Sequence, residues 1–403
     1  MNFDFSRSQS MAYALAPDHP LPHSIVIAGT NGKGSTTAFL SSLLQAHGLR
    51  VGTFTSPHLL EVYERVQING KKIMSQDFEK AGAIVMQTMQ SLQLTCTYFE
   101  AVTFMAWVHF AYTQPDVCLF EVGLGGRLDT TNTVARIGSI VTKIDLDHMR
   151  FLGENTYAIA KEKLAICQTG AINIIANQDP LAQKAVDETA ATGIDFRQEG
   201  QSFTHTGRSD HFSFCNQDII LPPCPLGLPG KHQTSNASLA MEMAYQYLGQ
   251  YRSQKIDLSK SMRALAATRV LGRMETWQKG SQTIILDVAH NPAGIQALVD
   301  TLIQYHPHTS FSVLLGCSAD KNHKAMQNIL ASLTDRIQTT AFDHPRSWHT
   351  NTGVSLDYEN VEDALLSLSA TAAQTILCTG SIFFVACVVP ILQKHAFELK
   401  TTI

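Results

Sequence analysis

"AGTNGKGSTT" (Ala28–Thr37) is a glycine-rich turn built around one lysine, and its spacing is unusual. The common phosphate loop, G-x-x-x-x-G-K-[ST], sets a glycine six residues ahead of the lysine and a hydroxyl directly after it. Here Gly29 stands only four residues before Lys33, and Gly34 follows the lysine. The parts are nevertheless those of an anion site. Gly29, Gly32 and Gly34 let the backbone turn sharply and bring N–H groups close to a ligand. Lys33 supplies positive charge for the β- and γ-phosphates, and Ser35 and Thr36 supply hydroxyls one position late.

The flanks support that reading. "SIVIA" (Ser24–Ala28) is a short β-branched run, predicted to be a buried strand. Phe39, Leu40, Leu43 and Leu44 recur at helical spacing, Gly48 is placed as a C-cap, and a second strand begins near Val51. Strand, turn, helix, strand is the setting in which a helix N-terminus receives phosphate.

The rhythm continues in "DVCLFEVG" (Asp116–Gly123), "IGSIVTKID" (Ile137–Asp145) and "AINIIAN" (Ala171–Asn177), apolar runs separated by helical patterning. A mostly parallel sheet is expected. Residues Gln198–Gln217 read as a polar interruption, "LPPCPLGLPGKHQ" (Leu221–Gln233) is rich in proline and glycine, and Ser235–Leu248 reads as a helix. A second α/β series then has strands "TIILDVA" (Thr283–Ala289), "SVLLGC" (Ser312–Cys317), "RIQTTAF" (Arg336–Phe342) and "TILCTG" (Thr375–Gly380). A boundary near 268–273 divides the chain into residues 1–269 and 270–403, two α/β domains with a cleft between them.

Composition narrows the function. The 403 residues are 44% hydrophobic and 16% charged, with a formal net charge of -4. That balance leaves no basic footprint for nucleic acid. Eight scattered cysteines without a C-x-x-C pair suit reduced thiols in the cytoplasm. The longest apolar run, Ile382–Leu392, is too short to span a bilayer, so no membrane partner is expected.

In an open α/β sheet, ligands gather beyond the carboxyl ends of the strands. Lys33, the "TSPHL" segment (Thr55–Leu59) with Ser56, Glu121, and His148 in "DLDH" all follow strands. A hydroxyl, a carboxylate and an imidazole beside a phosphate loop suit a divalent cation that bridges phosphate oxygens. The plainer reading of Glu121 is a strand-end carboxylate paired with Arg127. "GLGG" (Gly123–Gly126) hints at a dinucleotide fingerprint but lacks the full glycine pattern and a suitably placed ribose-binding acid.

Taken in order, "AGTNGKGST", "TSPHL", "ERVQING", "TYFEAVT", "EVGLGGRLDTTN", "LDHMRFLG", "IAKEKLAI", "LPGKHQ", "LGRMET", "DVAHNP" and "GCSADKN" resemble the folylpolyglutamate synthase / dihydrofolate synthase family, a branch of the Mur ligase superfamily. The resemblance runs from about residue 22 onward and answers the spacing puzzle, since this superfamily uses a G-T-N-G-K-x-[ST] loop. It implies a P-loop Mur-ligase-like N-terminal domain with a mostly parallel sheet and a smaller Rossmann-like α/β C-terminal domain. It also implies an ATP-dependent ligase that adds L-glutamate to dihydropteroate or a folyl(poly)glutamate through an acyl phosphate.

Site residues follow from the resemblance position by position. Thr30, Asn31, Gly32, Lys33, Gly34 and Ser35 would hold ATP phosphates, with Asn236, Arg273, Asp287 and His290 as further ATP contacts and Asn291 in a supporting role. Ser56, Glu121 and His148 would bind Mg²⁺. Lys163 would carry a CO₂-derived carbamate that holds a second Mg²⁺; from spacing alone it reads as a solvated helix lysine. Lys33, Lys163 and His148 would thus be the catalytic set. Thr97, Tyr98, Phe99 and Glu100, with Leu128, Asp129 and Thr130, would contact the pterin, an aromatic pair and a carboxylate suiting a flat hydrogen-bonding heterocycle; plain core packing is the alternative for the two aromatics. ATP would sit between the domains, with Lys33 on one side and Asp287 on the other. A monomer acting on small molecules is expected.

The sequence departs from the family in three places. The segment ahead of the loop, "FDFSRSQSMAYAL", is shorter than usual, with Asp4 and Arg7 as remnants of it. Thr130 stands where alanine is common, and Asn322 where aspartate is common. These differences bear on which folate acid is bound and whether one or both family activities are present. Another Mur-type ligase and a nucleotide-binding regulator without ligase activity are the rivals.

Overall fold

The computed structural model describes residues 4–319, 321–348, 356–369 and 375–400. The chain forms two compact units, Met1–Gly227 with His232–Thr268, and Leu228–Lys231 with Arg269–Ile403.

The first unit contains an eight-stranded sheet in the order β4-β3-β2-β5-β1-β6-β7-β8. Its strands are β1 (Ser24–Ala28), β2 (Val51–Phe54), β3 (Val66–Ile68), β4 (Lys71–Lys72), β5 (Val117–Glu121), β6 (Gly138–Val141), β7 (Ile172–Ile175) and β8 (Arg197–Gln198). The strands β2, β5, β1, β6, β7 and β8 pair in parallel, and β3 and β4 add an antiparallel edge. The expected parallel sheet is therefore present. β1 lies at its centre because it is apolar on both faces: Ile25, Val26 and Ile27 are fully buried. Covering one such side chain contributes about 1.5–3 kcal/mol.

Helices cover the sheet: α1 (Phe5–Leu15), α2 (Lys33–Ala46), α3 (Ser75–Ser91), α4 (Tyr98–Thr113), α5 (Met149–Leu152), α6 (Thr156–Leu164), α7 (Pro180–Ala190), α8 (Lys231–Arg252) and α9 (Leu258–Ala267). The stripe Phe39, Leu40, Leu43 and Leu44 of α2 is completely covered, as its spacing predicted. Asp4 caps α1, its carboxylate accepting from Ser6 N at 3.1 Å.

Two expectations needed correction. The polar interruption at 198–217 holds strands of its own: it contributes β9 (Phe203–Thr206) and β10 (Phe212–Asn216), which join β11 (Ile220–Cys224) in a three-stranded antiparallel sheet. Phe203, Phe212 and Phe214 point inward, while Thr204, Thr206, Ser213 and Cys215 at the alternate positions are at least partly exposed, which hid the period of two. The helix expected at 235–248 also starts four residues earlier and ends four later, at Lys231 and Arg252.

The second unit holds a sheet in the order β15-β14-β16-β13-β12-β17. Its strands are β12 (Glu275–Lys279), β13 (Gln282–Leu286), β14 (Phe311–Leu315), β15 (Ile337–Thr339), β16 (Thr375–Thr379) and β17 (Glu398–Lys400). The four strands expected from sequence form its parallel part; β12 and β17 form an antiparallel edge that their mixed composition concealed. Its helices are α10 (Pro292–Tyr305), α11 (His323–Leu330), α12 (Val361–Ser369) and α13 (Ile382–Lys394). Asp320 of the "GCSADKN" motif lies outside the described residues. Among the described residues no helix is long and apolar enough to cross a membrane.

Candidate functional site

The parallel order β2-β5-β1-β6 brings four carboxyl ends to one rim of the first sheet. Residues 29–32 follow β1, Thr55 and Ser56 follow β2, Glu121 ends β5, and Thr142 to His148 follow β6.

The phosphate loop is held by its neighbours rather than by its own length. Thr142 Oγ1 donates to Asn31 O at 2.7 Å, and Thr30 Oγ1 donates to Asp145 O at 3.0 Å while accepting from Asp145 N at 3.1 Å. Gly29 has φ +149°, and a Cβ there would stand 1.7 Å from Thr142 Oγ1. Gly32 has φ +91°, and a Cβ there would stand 2.2 Å from Asn236 Oδ1. Both positions therefore require glycine. No side chain caps α2, so the helix presents its N-terminus to whatever enters the loop.

Two lysines meet at one carbonyl. Lys33 Nζ donates to Gly29 O and Thr30 O, each at 3.2 Å, and Lys163 Nζ donates to Gly29 O at 2.8 Å. Lys163 is 4% exposed. Burial, followed by the charge of Lys33, pulls its pKa down to about 7, so a large share of its amine is neutral at physiological pH.

Glu121 is buried and faces the same place. Ser56 N donates to its Oε2 at 3.3 Å, and a Cβ on Gly34 would stand 3.6 Å from that oxygen. Arg127 pairs with Glu162 at 2.9 Å instead, which removes the plain ion-pair reading of Glu121. His148 has left-handed φ and ψ of 51° and 34° at the start of α5, a conformation uncommon outside glycine. Its Nε2 lies 3.9 Å from Asp147 Oδ2.

Asn236, on the first turns of α8, donates to Gln233 Oε1 at 2.9 Å, and Gln233 Nε2 donates to Ser35 Oγ at 3.3 Å. Gln233 and Thr142 escaped the sequence reading. Thr142 was findable from its place at the end of a strand neighbouring β1; Gln233 carried no local signal.

The predicted heterocycle residues form a second group. Thr97 caps α4, accepting from Glu100 N at 3.3 Å, while Glu100 accepts from Thr97 N at 2.6 Å. Glu100 also receives Arg7 from α1 at 2.8 and 3.0 Å, so that arginine has a defined partner. Burial pushes the Glu100 pKa up, but the bonds from Arg7 and Thr97 outweigh it and leave the carboxyl below its ordinary value. Ser8 Oγ and Thr130 Oγ1 lie 3.1 Å apart beneath them. Tyr98 is 60% exposed, whereas Phe99 is half-buried, 5.9 Å from the ring of Phe54 and against Gly123.

Asp129 turns inward. It accepts from Gly123 N, Leu124 N and Thr131 N at 3.0 Å each, and from Thr131 Oγ1 at 2.7 Å. A carboxylate has about four acceptor positions. All are taken, so Asp129 fastens the "GLGG" loop, and burial raises its pKa despite those bonds. Leu128 beside it is half-buried.

Arg273, Asp287 and His290 belong to the second unit. Asp287 is buried and accepts from Met274 N at 3.0 Å and Ala289 N at 2.9 Å; burial raises its pKa, with Arg273 opposing. His290 Nδ1 lies 2.9 Å from Val288 O, and Asn291 caps α10, accepting from Gly294 N at 2.8 Å.

Comparison with known proteins agrees in both units. The Mur ligase middle domain matches residues 27–244, and the Mur ligase glutamate ligase domain matches 272–382. The chain is 30% identical to the dihydrofolate synthase/folylpolyglutamate synthase of Bacillus subtilis over 381 residues, 89% of this chain and 88% of that protein. It is 30% identical to the folylpolyglutamate synthase of Lacticaseibacillus casei, over 96% of this chain and 93% of that one. It superposes on E. coli FolC in complex with DHPP and ADP with a TM-score of 0.88 at 25% identity, covering 98% of this chain and 94% of that chain.

Proposed function

The chain belongs to the Mur ligase family, in its dihydrofolate synthase/folylpolyglutamate synthase branch, and from that premise we propose how its residues divide the work. It is an ATP-dependent ligase that joins glutamate to a folate-type acid.

The assignment rests on one observation above all: Lys33 and Lys163 converge on the Gly29 carbonyl at the mouth of the loop. Lys33 takes the β- and γ-phosphates of ATP, with Thr30, Asn31, Gly32, Gly34 and Ser35 lining the loop and Asn236 steadying it. Arg273, Asp287 and His290 are the proposed nucleotide contacts of the second unit.

Magnesium fits the donors present. Among the described residues no group of three His, Cys, Asp or Glu is set to hold a metal. Mg²⁺ beside nucleotide phosphates needs only one or two protein carboxylates, the rest being water and phosphate. Glu121 supplies one and Ser56 a hydroxyl, with His148 on the segment after β6. A bound cation there would offset the charge of the transferring phosphoryl group. The partly neutral amine of Lys163 suits attack on CO₂; with loss of a proton the carbamate forms, an anionic oxygen pair fit for a second Mg²⁺.

An oxygen of the substrate carboxylate attacks the γ-phosphorus, the bond to the β,γ-bridging oxygen breaks and ADP leaves. The amine of L-glutamate then attacks the acyl phosphate, phosphate departs and the amide forms. Positioning and charge stabilisation are the protein's contribution. Thr97, Tyr98, Phe99, Glu100, Leu128 and Thr130 form the proposed wall for the pterin, and Asp129 supports that wall by holding the backbone of Gly123 and Leu124. We propose a cytoplasmic monomer working on small molecules, without nucleic acid or membrane partners.

The decisive assay supplies ATP, Mg²⁺ and glutamate with dihydropteroate or tetrahydrofolate separately. Phosphate release matched by amide formation is expected, and the acceptor that supports it separates one activity from two. ATP turnover indifferent to both acceptor and glutamate would overturn the assignment.

A further inference from the structure

"TSPHL" and "ERVQING" contribute His58 and Arg65, which the reaction above leaves unused. Arg65 ends the 3-10 turn Val62–Arg65, and its carbonyl accepts from Thr55 N at 2.9 Å. That bond fixes it beside the end of β2, adjacent to Ser56. The residue is only 8% exposed. Its Nε donates to His58 Nδ1 at 2.9 Å, and the guanidinium lies 5.5 Å from the centroid of the Tyr98 ring.

Neither neighbour cancels its charge. His58 Nδ1 accepts from Arg65, so that imidazole carries its proton on Nε2 and brings no negative charge. Tyr98 offers a ring face. Glu121 acts on the guanidinium through its charge, and among the described residues the bond to His58 is the side chain's one hydrogen bond. Four of its five N–H donors thus remain on Nη1 and Nη2.

A buried cation that cannot deprotonate is unfavourable without an anion. The guanidinium fork matches a carboxylate in shape and charge. This one stands between two groups already described: Ser56 and Glu121 on the phosphoryl side, and Tyr98 on the heterocycle side. The acceptor acid must place its carboxylate between those two.

Building on the functional reading above, we propose that Arg65 binds the carboxylate of the acceptor acid through Nη1 and Nη2. One oxygen stays on the fork while the other attacks phosphorus, and the positive charge offsets repulsion between carboxylate and γ-phosphate. His58 and Tyr98 orient the fork.

Two measurements decide this. In Arg65→Gln the KM for the acceptor should rise about ten- to hundredfold, the range set by charge-assisted hydrogen bonds. Arg65→Lys should recover part of that loss, and the KM values for ATP and glutamate should stay within about twofold. Independently, the unaltered enzyme should bind dihydropteroate about tenfold or more tightly than its primary carboxamide, and Arg65→Gln should bind the two alike. A rise confined to KM for ATP would make Arg65 a phosphate ligand and overturn the proposal. So would an unchanged acceptor KM, equal binding of acid and carboxamide by the unaltered enzyme, or a uniform rise in every KM with a lower Tm. If the unaltered enzyme ligated no folate acid, the functional reading would fall, while the acid-against-amide comparison would still judge Arg65.

Discussion

The loop after β1 and the loop after β5 are both rich in glycine and end at the same rim, yet they are built in opposite senses. The first has no carboxylate of its own: Thr142 and Asp145 bond to it, Lys33 and Lys163 share its Gly29 carbonyl, and no side chain caps α2. The second ties itself shut, with the four acceptor positions of Asp129 directed at Gly123, Leu124 and Thr131. Its Gly126 then allows close packing on α6, since a Cβ there would stand 2.6 Å from Glu162 O. A glycine-rich turn is a binding loop when its donors are left for a ligand, and a fastening when a neighbouring carboxylate consumes them.

The contrast breaks most severely at Lys33. Lys33→Ala should lower turnover by about a hundred- to thousandfold, as loss of a preorganised charge does, while Tm stays near that of the unaltered protein. Gly29→Ala should match that loss and lower Tm as well, because the methyl meets Thr142 Oγ1 at a φ that disfavours side chains. A fully active Gly29→Ala enzyme would refute the account of this loop.

Lys163 supplies the pH dependence. At fixed dissolved CO₂, reactivation of CO₂-depleted enzyme should increase as pH rises through about 7, where its amine becomes neutral. The sign for stability follows from linkage: its pKa is depressed from an ordinary 10.5, so the penalty of burying the ammonium is full below about 7 and fades between 7 and 10.5. Lys163→Met should therefore stabilise the protein more at pH 6 than at pH 9, measured by denaturant unfolding.

In the second loop, Asp129→Asn swaps an acceptor oxygen for an amide that faces backbone donors. A stability loss of about 1–3 kcal/mol is expected, with activity falling alike on dihydropteroate and tetrahydrofolate. A loss confined to dihydropteroate at unchanged stability would return Asp129 to the pterin. The smallest effect is at Arg7, where Arg7→Ala should remove about 1–2 kcal/mol by taking the cation from Glu100 while Thr97 N still donates to it, read from thermal unfolding.

Much of this was legible along the chain. Glycines and a lysine between an apolar strand and the stripe Phe39, Leu40, Leu43 and Leu44 specify a phosphate loop within about two dozen residues, because turn chemistry and hydrophobic period act over short range. The alternation at Phe203, Phe212 and Phe214 was less visible, since half of those strands faces water or polar neighbours. The motif order alone identified the ligase branch. Tertiary structure decided what the charged groups became. Lys163 reads as a solvated helix lysine until the fold carries it under Gly29; Asp129, which the family resemblance assigns to the pterin, directs its four acceptor positions at Gly123, Leu124 and Thr131; Arg65, for which the sequence offered no role, is buried with one side-chain hydrogen bond among the described residues. Local pattern sets where elements begin and turn, but desolvation and pairing are sums over residues far apart in the chain, and only the folded protein assembles them.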